Sequence, residues 1–426
     1  MNIQEFRHSM ICGLGRCYVE LKRAEDPEIY RDVVEWGCTN SISYNVQSDG
    51  CRSEYVYELT KCFKDPTSFV PAIVDAYAHL DVSDSESSKH LAELLGLFAR
   101  DGTLLAAKAL EQRYSSILAK LRRRASFNGV YDYTRDALID CVEGMMLYVD
   151  ERRFAKVAKR LGKLILESSY YGPDDFENLY YDVAYRYVSS VGPRVWLRYL
   201  HDESPEAQTF LKAYRRTIRN DQAMQRRIKS KIAERKNRPN PDKMAKLNDL
   251  LNAKDSREIE SALTYFIDNP YVGDVSQLIK WAKSEDVTLA DTALSVLAHT
   301  RDKAVWQYAL TLLEKGEHIY DAMSMLVINE SPDTREWILK TLYDIPVILQ
   351  GEENWHGAVQ TILDSPDFGV QLPYEYYWFI YNRSLCAHCR SRAVEYLNKK
   401  GQINDEIKAE LIHDANEDVR AIGNLS

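Results

Sequence analysis

The sequence predicts an all-α chain, an α-solenoid of stacked helix pairs, on three observations. A short motif repeats: Ala262-Leu-Thr-Tyr-Phe-Ile267 is echoed by Ala293-Leu-Ser-Val-Leu-Ala298 and by Ala322-Met-Ser-Met-Leu-Val327, at steps of 31 and 29 residues. The segment behind each copy moves in step, Ile279-Lys-Trp281 falling on Leu310-Thr-Leu312 and Leu310 on Leu339. No stretch of any length alternates apolar and polar residues as a strand would. A unit of two short amphipathic helices buries its apolar face mainly on its neighbours, so such units stack.

Residues 1–50 read as irregular helices. Ile29, Val33 and Trp36 fall at helical spacing within 28–36, and 41–50 reads as a loop rich in Ser, Asn and Gly. A second internal match follows, Glu58-Leu-Thr-Lys-Cys-Phe63 on Glu93-Leu-Leu-Gly-Leu-Phe98, a step of 35. Each copy is followed by a break (Lys64-Asp-Pro66, Arg100-Asp-Gly102) and a second helix, over 67–80 and from 103 to about 124. Pro66 and Pro332 sit where a first helical turn tolerates proline, because the missing N–H has no partner there. Residues 130–203 give three or four more helices, broken at Gly172-Pro173 and Gly192-Pro193, with Tyr180, Tyr181, Tyr185 and Tyr187 crowded between.

Residues 204–236 predict one long helix, opened by Ser204-Pro205-Glu206: a capping serine, a proline at the first position and an acid near the positive end of the dipole. Asn237-Arg-Pro-Asn-Pro-Asp242 ends it as a linker. The organisation expected is therefore an N-terminal helical region at 1–203, a basic helix and linker at 204–242, and C-terminal repeats at 243–426. Ala358-Val-Gln-Thr-Ile-Leu363 is a fourth copy of the repeated motif, and Asn416-Glu-Asp-Val-Arg420 starts a last helix.

The paired helices, the period near 30 and the Asp-containing turns (Glu285-Asp286, Pro332-Asp333, Asn416-Glu-Asp-Val-Arg420) resemble HEAT-like repeats, in particular the short subclass named after phycobilisome lyases. The resemblance covers 255–345 well and 52–124 moderately. It implies a fold rather than an activity. Such proteins are mostly scaffolds and adaptors; a minority are enzymes, among them alkylpurine DNA glycosylases and a di-iron hydroxylase. The hydroxylase needs several His-Glu pairs, and this sequence has no His-Glu dipeptide. No functional residue of the glycosylases maps onto a position here.

Composition narrows the class. A hydrophobic content of 45% supplies a core, and a net charge of −9 gives no global attraction to nucleic acid. The eight cysteines lack the spacing of a small disulfide scaffold, so reduced, buried thiols in a cytoplasm are expected. The N-terminus shows no signal peptide and no apolar run reaches a membrane span, so no membrane partner is expected. Tyrosine outnumbers phenylalanine 28 to 11, which suits half-exposed helix faces.

The sharpest chemical feature is basic. Residues 212–246 hold 13 Lys/Arg against 3 Asp/Glu, a local +10 that leaves −19 on the rest of the chain. At about 100° per residue, Lys212, Arg215, Arg216, Arg219, Arg226, Arg227 and Lys229 fall within an arc of roughly 160°. Tyr214, Ile218, Ile228 and Ile232 fall on the other side, an apolar face to dock, with Leu211 at its edge. Lys231 and Arg235 lie off the stripe. Such a stripe contacts phosphates, binds an acidic protein, or is simply a solvated face. Arg122, Arg123 and Arg124, then Arg152, Arg153, Lys156, Lys159, Arg160 and Lys163, form a second basic set.

Other motifs weigh less. Cys386-Ala-His-Cys389 has ligand-type residues, but a structural zinc site needs four, no second Cys pair follows, and a redox dithiol belongs in a βαβ context; two packed thiols are expected, with no metal and no cofactor. Cys12-Gly-Leu-Gly-Arg-Cys17 lacks the third glycine and the Lys-Ser/Thr pair of a phosphate loop. The aromatic run Tyr374–Tyr381 reads as inter-repeat packing more than as a binding platform. No catalytic residue stands out. The expectation is a non-catalytic scaffold holding a macromolecule, a protein ahead of other classes, on its concave face. The alternative is a nucleic-acid-binding protein using the stripe, extending to a base-repair enzyme with Trp281 or Trp306 near the bases.

Overall fold

The computed structural model describes residues 1–44, 52–123, 133–167, 173–176, 204–236, 243–344 and 353–425. Among them are 22 α-helices and no strand, and no helix is long and apolar enough to cross a membrane. The chain forms two compact units. One is built from Met1–Val19, Ser43–Asp49 and Pro239–Ser426, the other from Glu20–Ile42 and Gly50–Arg238. The division after Arg238 falls within the expected linker. The first 19 residues differ from the sequence-based boundaries, since they belong with the C-terminal repeats.

Helix α1 (Ile3–Cys12) opens with a capping box, the Asn2 side chain accepting the Glu5 N–H and the Glu5 carboxylate accepting the Asn2 N–H. The loop before α2 (Arg16–Arg23) is the one resembling half a phosphate loop; here the Gly13 carbonyl accepts the N–H of Ala415, so the C-terminal turn closes it.

The second unit contains α3 (Arg31–Thr39), α4 (Ser53–Thr60), α5 (Val70–His79), α6 (Ser85–Arg100), α7 (Leu104–Arg123), α8 (Tyr133–Met146), α9 (Glu151–Glu167) and α10 (Pro205–Lys236). The 28–36 segment is split, a 3-10 turn at Pro27–Tyr30 leading into α3. Pro66 opens a second 3-10 turn that runs into α5, with Asp65 capping the Thr67 N–H at 3.0 Å. Helix α4 packs on α6 and α6 on α8, while α5 packs on α7. The α6–α8 contact is backbone to backbone: a Cβ on Gly144 would overlap the carbonyl oxygen of Ala92, so only glycine fits. The tyrosine cluster at 180–187 and the Gly192-Pro193 break lie outside the described residues.

The other unit continues with α11 (Lys243–Asn252), α12 (Ser256–Leu263), α13 (Val275–Trp281), α14 (Val287–Leu297), α15 (Lys303–Lys315), α16 (Ile319–Ile328), α17 (Arg335–Asp344), α18 (Glu353–Asp364), α19 (Tyr374–Arg383), α20 (Ala387–Lys399), α21 (Asp405–Leu411) and α22 (Glu417–Gly423). Short polar residues start them. Asp255, Asp274, Asp286, Asp302, Asn404 and Asn416 each accept a backbone N–H of the helix they precede. Pro332 departs from expectation: it lies in a turn ahead of α17, which begins at Arg335.

Consecutive helices pack on each other, α15 on α16 and α19 on α20 among them, and several also pack on the next but one: α12 on α14, α14 on α16, α16 on α18, α18 on α20 and α20 on α22, with α13 on α15 and α17 on α19. The repeated motif forms the buried seam. Ala262 and Leu263, Ala293 and Leu294, Ala322 and Met323, and Ala358 and Val359 occupy matching places in one core. In the aromatic run Tyr376, Tyr377, Phe379, Ile380 and Tyr381 are buried in α19, so most of it is core.

Replacing Gly144 with alanine is expected to destabilise the protein by about 1–3 kcal/mol, because a Cβ there must push α6 and α8 apart. Urea unfolding checks this, and a change under about 0.5 kcal/mol contradicts the close contact.

Candidate functional site

The basic stripe lies on α10. Ser204 caps it, its Oγ accepting the Ala207 N–H at 3.4 Å. The first half docks on α9. Phe210, Leu211, Ala213 and Tyr214 are buried, Phe210 meets Phe154 edge to face, and Gly162 lets the α10 backbone approach, since a Cβ there would overlap the Glu206 carbonyl. The second half packs on no described element. Every described side chain from Arg219 to Ser230 is exposed, Met224 at 59% and Ile228 at 40%. This corrects the expected apolar docking face, which ends at the half-buried Ile218; Ile232 lies outside the described side chains. The cause is length. At about 1.5 Å per residue α9 offers about 25 Å of partner to a helix of about 48 Å.

Lys212, Arg215, Arg216, Arg219, Arg226, Arg227 and Lys229 are all exposed. Arg152, Arg153, Lys156, Arg160 and Lys163 line the outer face of α9. Trp281 and Trp306 belong to the other unit and are partly buried against its core, Trp306 edge-on to Trp337. They are packing residues.

A cleft of about 530 Å³ opens in the other unit, along α14, α16 and α18. Successive first helices contribute to it: Ser295 and His299 from α14, Asp321 and Ser324 from α16, Gln360, Thr361 and Asp364 from α18. The turns after α12 and α18 add Asp268, Asp367 and Phe368. His299 stacks on Phe368 with ring centroids 4.2 Å apart, and its Nδ1 has no hydrogen-bond partner among the described residues. Burial lowers its pKa, so the ring is neutral at neutral pH. Burial raises the pKa of Asp321, Asp291 adds to the shift, and His318 at 3.5 Å opposes it. Asp364 is bridged by Arg392 at 2.5 Å. Asp268 and Asp367 are exposed. The cleft is thus acidic and suited to cationic groups.

A third group gathers where α18 and α20 pack. Cys386 caps α20, its Sγ accepting the Cys389 N–H at 3.4 Å. The Cys389 Sγ lies 3.1 Å from Nε2 of His356, 33 residues away on α18. The Cys386 thiol is held below its ordinary range chiefly by the Cys389 side chain, then by His356 and the Cys389 N–H, against the opposing effect of burial. His388, between the two cysteines in sequence, is exposed. The sequence reading placed Cys386 and Cys389 as packed thiols; it had no signal for His356, whose approach depends on helix stacking. Among the described residues, these three form the group able to hold a metal.

Buried acids form the fourth feature. Glu93 on α6 accepts a 2.6 Å hydrogen bond from the Ser53 hydroxyl, and Glu143 on α8, 2% exposed, faces Lys89 at 3.4 Å. The neighbouring Asp140 carboxyl is pushed up to about 7 by burial, opposed by the nearby Ser88 hydroxyl and Lys89. A signal existed: in Ala137-Leu-Ile-Asp-Cys-Val-Glu-Gly-Met-Met146 two acids interrupt a helix that is otherwise apolar on all sides. Compared with models of known protein families, with curated proteins and with solved structures, the chain matches none.

Asp140 sets a pH dependence with a defined sign. Its folded pKa, about 7, exceeds the ordinary 3.8, so the folded state holds the proton more tightly. Its contribution is most favourable below pH 3.8 and is lost as pH rises through about 7. Asp140→Asn is therefore expected to stabilise the protein at pH 8 by roughly 1–4 kcal/mol and to gain much less at pH 5. Urea unfolding at both pH values checks this, and a gain equal at both contradicts it.

Proposed function

We propose that the chain is an α-solenoid of HEAT-like repeats that acts as a non-catalytic scaffold, receiving a basic segment of a protein partner along the cleft. The carrying observation is the cleft itself: consecutive helix pairs each contribute a side chain to one surface, and four aspartates line it. The next-but-one packing supports the stacked-repeat reading. A surface assembled from several repeats suits an extended partner better than a compact ligand. Its charge favours lysine and arginine and opposes phosphates.

A second reading, nucleic-acid binding, is favoured by one observation. Lys212, Arg215, Arg219, Arg226, Arg227 and Lys229 are exposed and form no ion pair among the described residues, on a helix whose second half packs on nothing described. Such a stripe follows a phosphate backbone. The base-repair extension draws no support from Trp281 and Trp306, which are packed against the core.

Equilibrium titration with a labelled Lys/Arg-rich peptide, and with duplex and single-stranded DNA, at low and physiological salt separates the two. On the scaffold reading the basic peptide binds, Asp268→Asn with Asp367→Asn weakens it by about tenfold or more, and Arg215, Arg219, Arg226 and Arg227 changed together to Glu leave it unchanged. Peptide binding that ignores the aspartates, or is absent at low salt, overturns that reading. DNA binding that falls steeply with salt and vanishes in the Arg→Glu variant establishes the second.

A further inference from the structure

Cys386 and Cys389 are three positions apart at the start of α20, a spacing that sets both sulfurs on one side of the helix end. His356 reaches them from α18, and the three donor atoms all lie within 4.8 Å of one another. Both cysteines are buried and the histidine is half-buried. We propose that His356, Cys386 and Cys389 form a binding site for a zinc-type divalent cation.

Geometry carries the proposal. Zinc bonds of about 2.3 Å to sulfur and about 2.0–2.1 Å to nitrogen, arranged tetrahedrally, require S–S near 3.8 Å and S–N near 3.6 Å. The His356–Cys389 separation is 3.1 Å, so about half an ångström of side-chain adjustment admits the ion. Donor type points the same way. Two thiolates and an imidazole select zinc or a softer metal over calcium or magnesium, which take oxygen. The amide N–H that Cys386 accepts and the positive end of α20 both favour the thiolate, the form that binds metal.

Three protein donors leave a fourth tetrahedral position for water or for a group from a partner, as in open rather than closed zinc sites. The ion would also tie α18 to α20, which belong to adjacent helix pairs, so binding adds stability by linkage. His388 sits inside the Cys-Ala-His-Cys run, yet its side chain is exposed, and the nearby histidine is His356.

The test uses the full chain, reduced and stripped of metal, titrated with Zn²⁺ against a chromophoric chelator and separately with Co²⁺. The expected result is one ion per chain and a tetrahedral cobalt spectrum with thiolate charge-transfer bands. Cys386→Ser, Cys389→Ser and His356→Ala each weaken zinc by more than the roughly 10–100-fold typical of losing a group that only hydrogen-bonds a ligand. Each cysteine change also reduces the thiolate bands, and His388→Ala alters neither readout. Serine at 386 still caps α20, so that variant separates lost ligation from lost folding. Failure of the reduced chain to take up one ion, uptake that survives both cysteine changes together, or dependence on His388 in place of His356 overturns the proposal. Thiols that only form a disulfide on oxidation, with no uptake when reduced, overturn it as well.

Discussion

The structure depends on burial between neighbouring helices. In the repeats α12 has 8 residues, α13 has 7, α14 has 11 and α16 has 10. Isolated helices shorter than about 12–15 residues are marginal in water. What holds them is the apolar core they share with neighbouring helices. Ala293, Leu294, Val296 and Leu297 are buried in α14, and Ala322, Met323, Met325 and Leu326 in α16. Caps complete the arrangement locally, since an Asx side chain satisfies an N–H that a short helix would otherwise leave open at a large fraction of its length. Alanine recurs at the same place in each copy, where it fills little volume beside a neighbouring helix.

That division of labour leaves the outward residues to carry charge, and they carry it unevenly. The cleft gathers aspartates on turns and helix faces that contribute little to the seam. Helix α10 shows the other extreme. Its docked half is held by Phe210, Leu211 and Tyr214, and its exposed half keeps Met224 and Ile228 in water beside the arginines.

Much of this was readable from the chain. The repeat steps, the Asp-led turns and the extent of the 205–236 helix follow from local pattern, because capping and periodicity are properties of neighbouring residues. Three features were not readable, for one physical reason. The place of α1 beside α19, the meeting of His356 with Cys389 and the depth of α10 docking each depend on how stacked helices align, which separations of tens to hundreds of residues do not encode locally. Asp140 and Glu143 fall between these cases. Their apolar surroundings are visible in sequence, but burial deep enough to move a carboxyl to about 7 is set by α6 packing across them.

Amide hydrogen exchange on the full chain carrying Leu326→Ala tests the nearest-neighbour account most directly. Leu326 is fully buried in α16, which packs on α14 and α18. The account predicts that protection falls most in α16, next in α14 and α18, and hardly at all in α6 and α8 of the other unit. Equal loss across both units, or loss confined to α16 with α14 and α18 untouched, would contradict it.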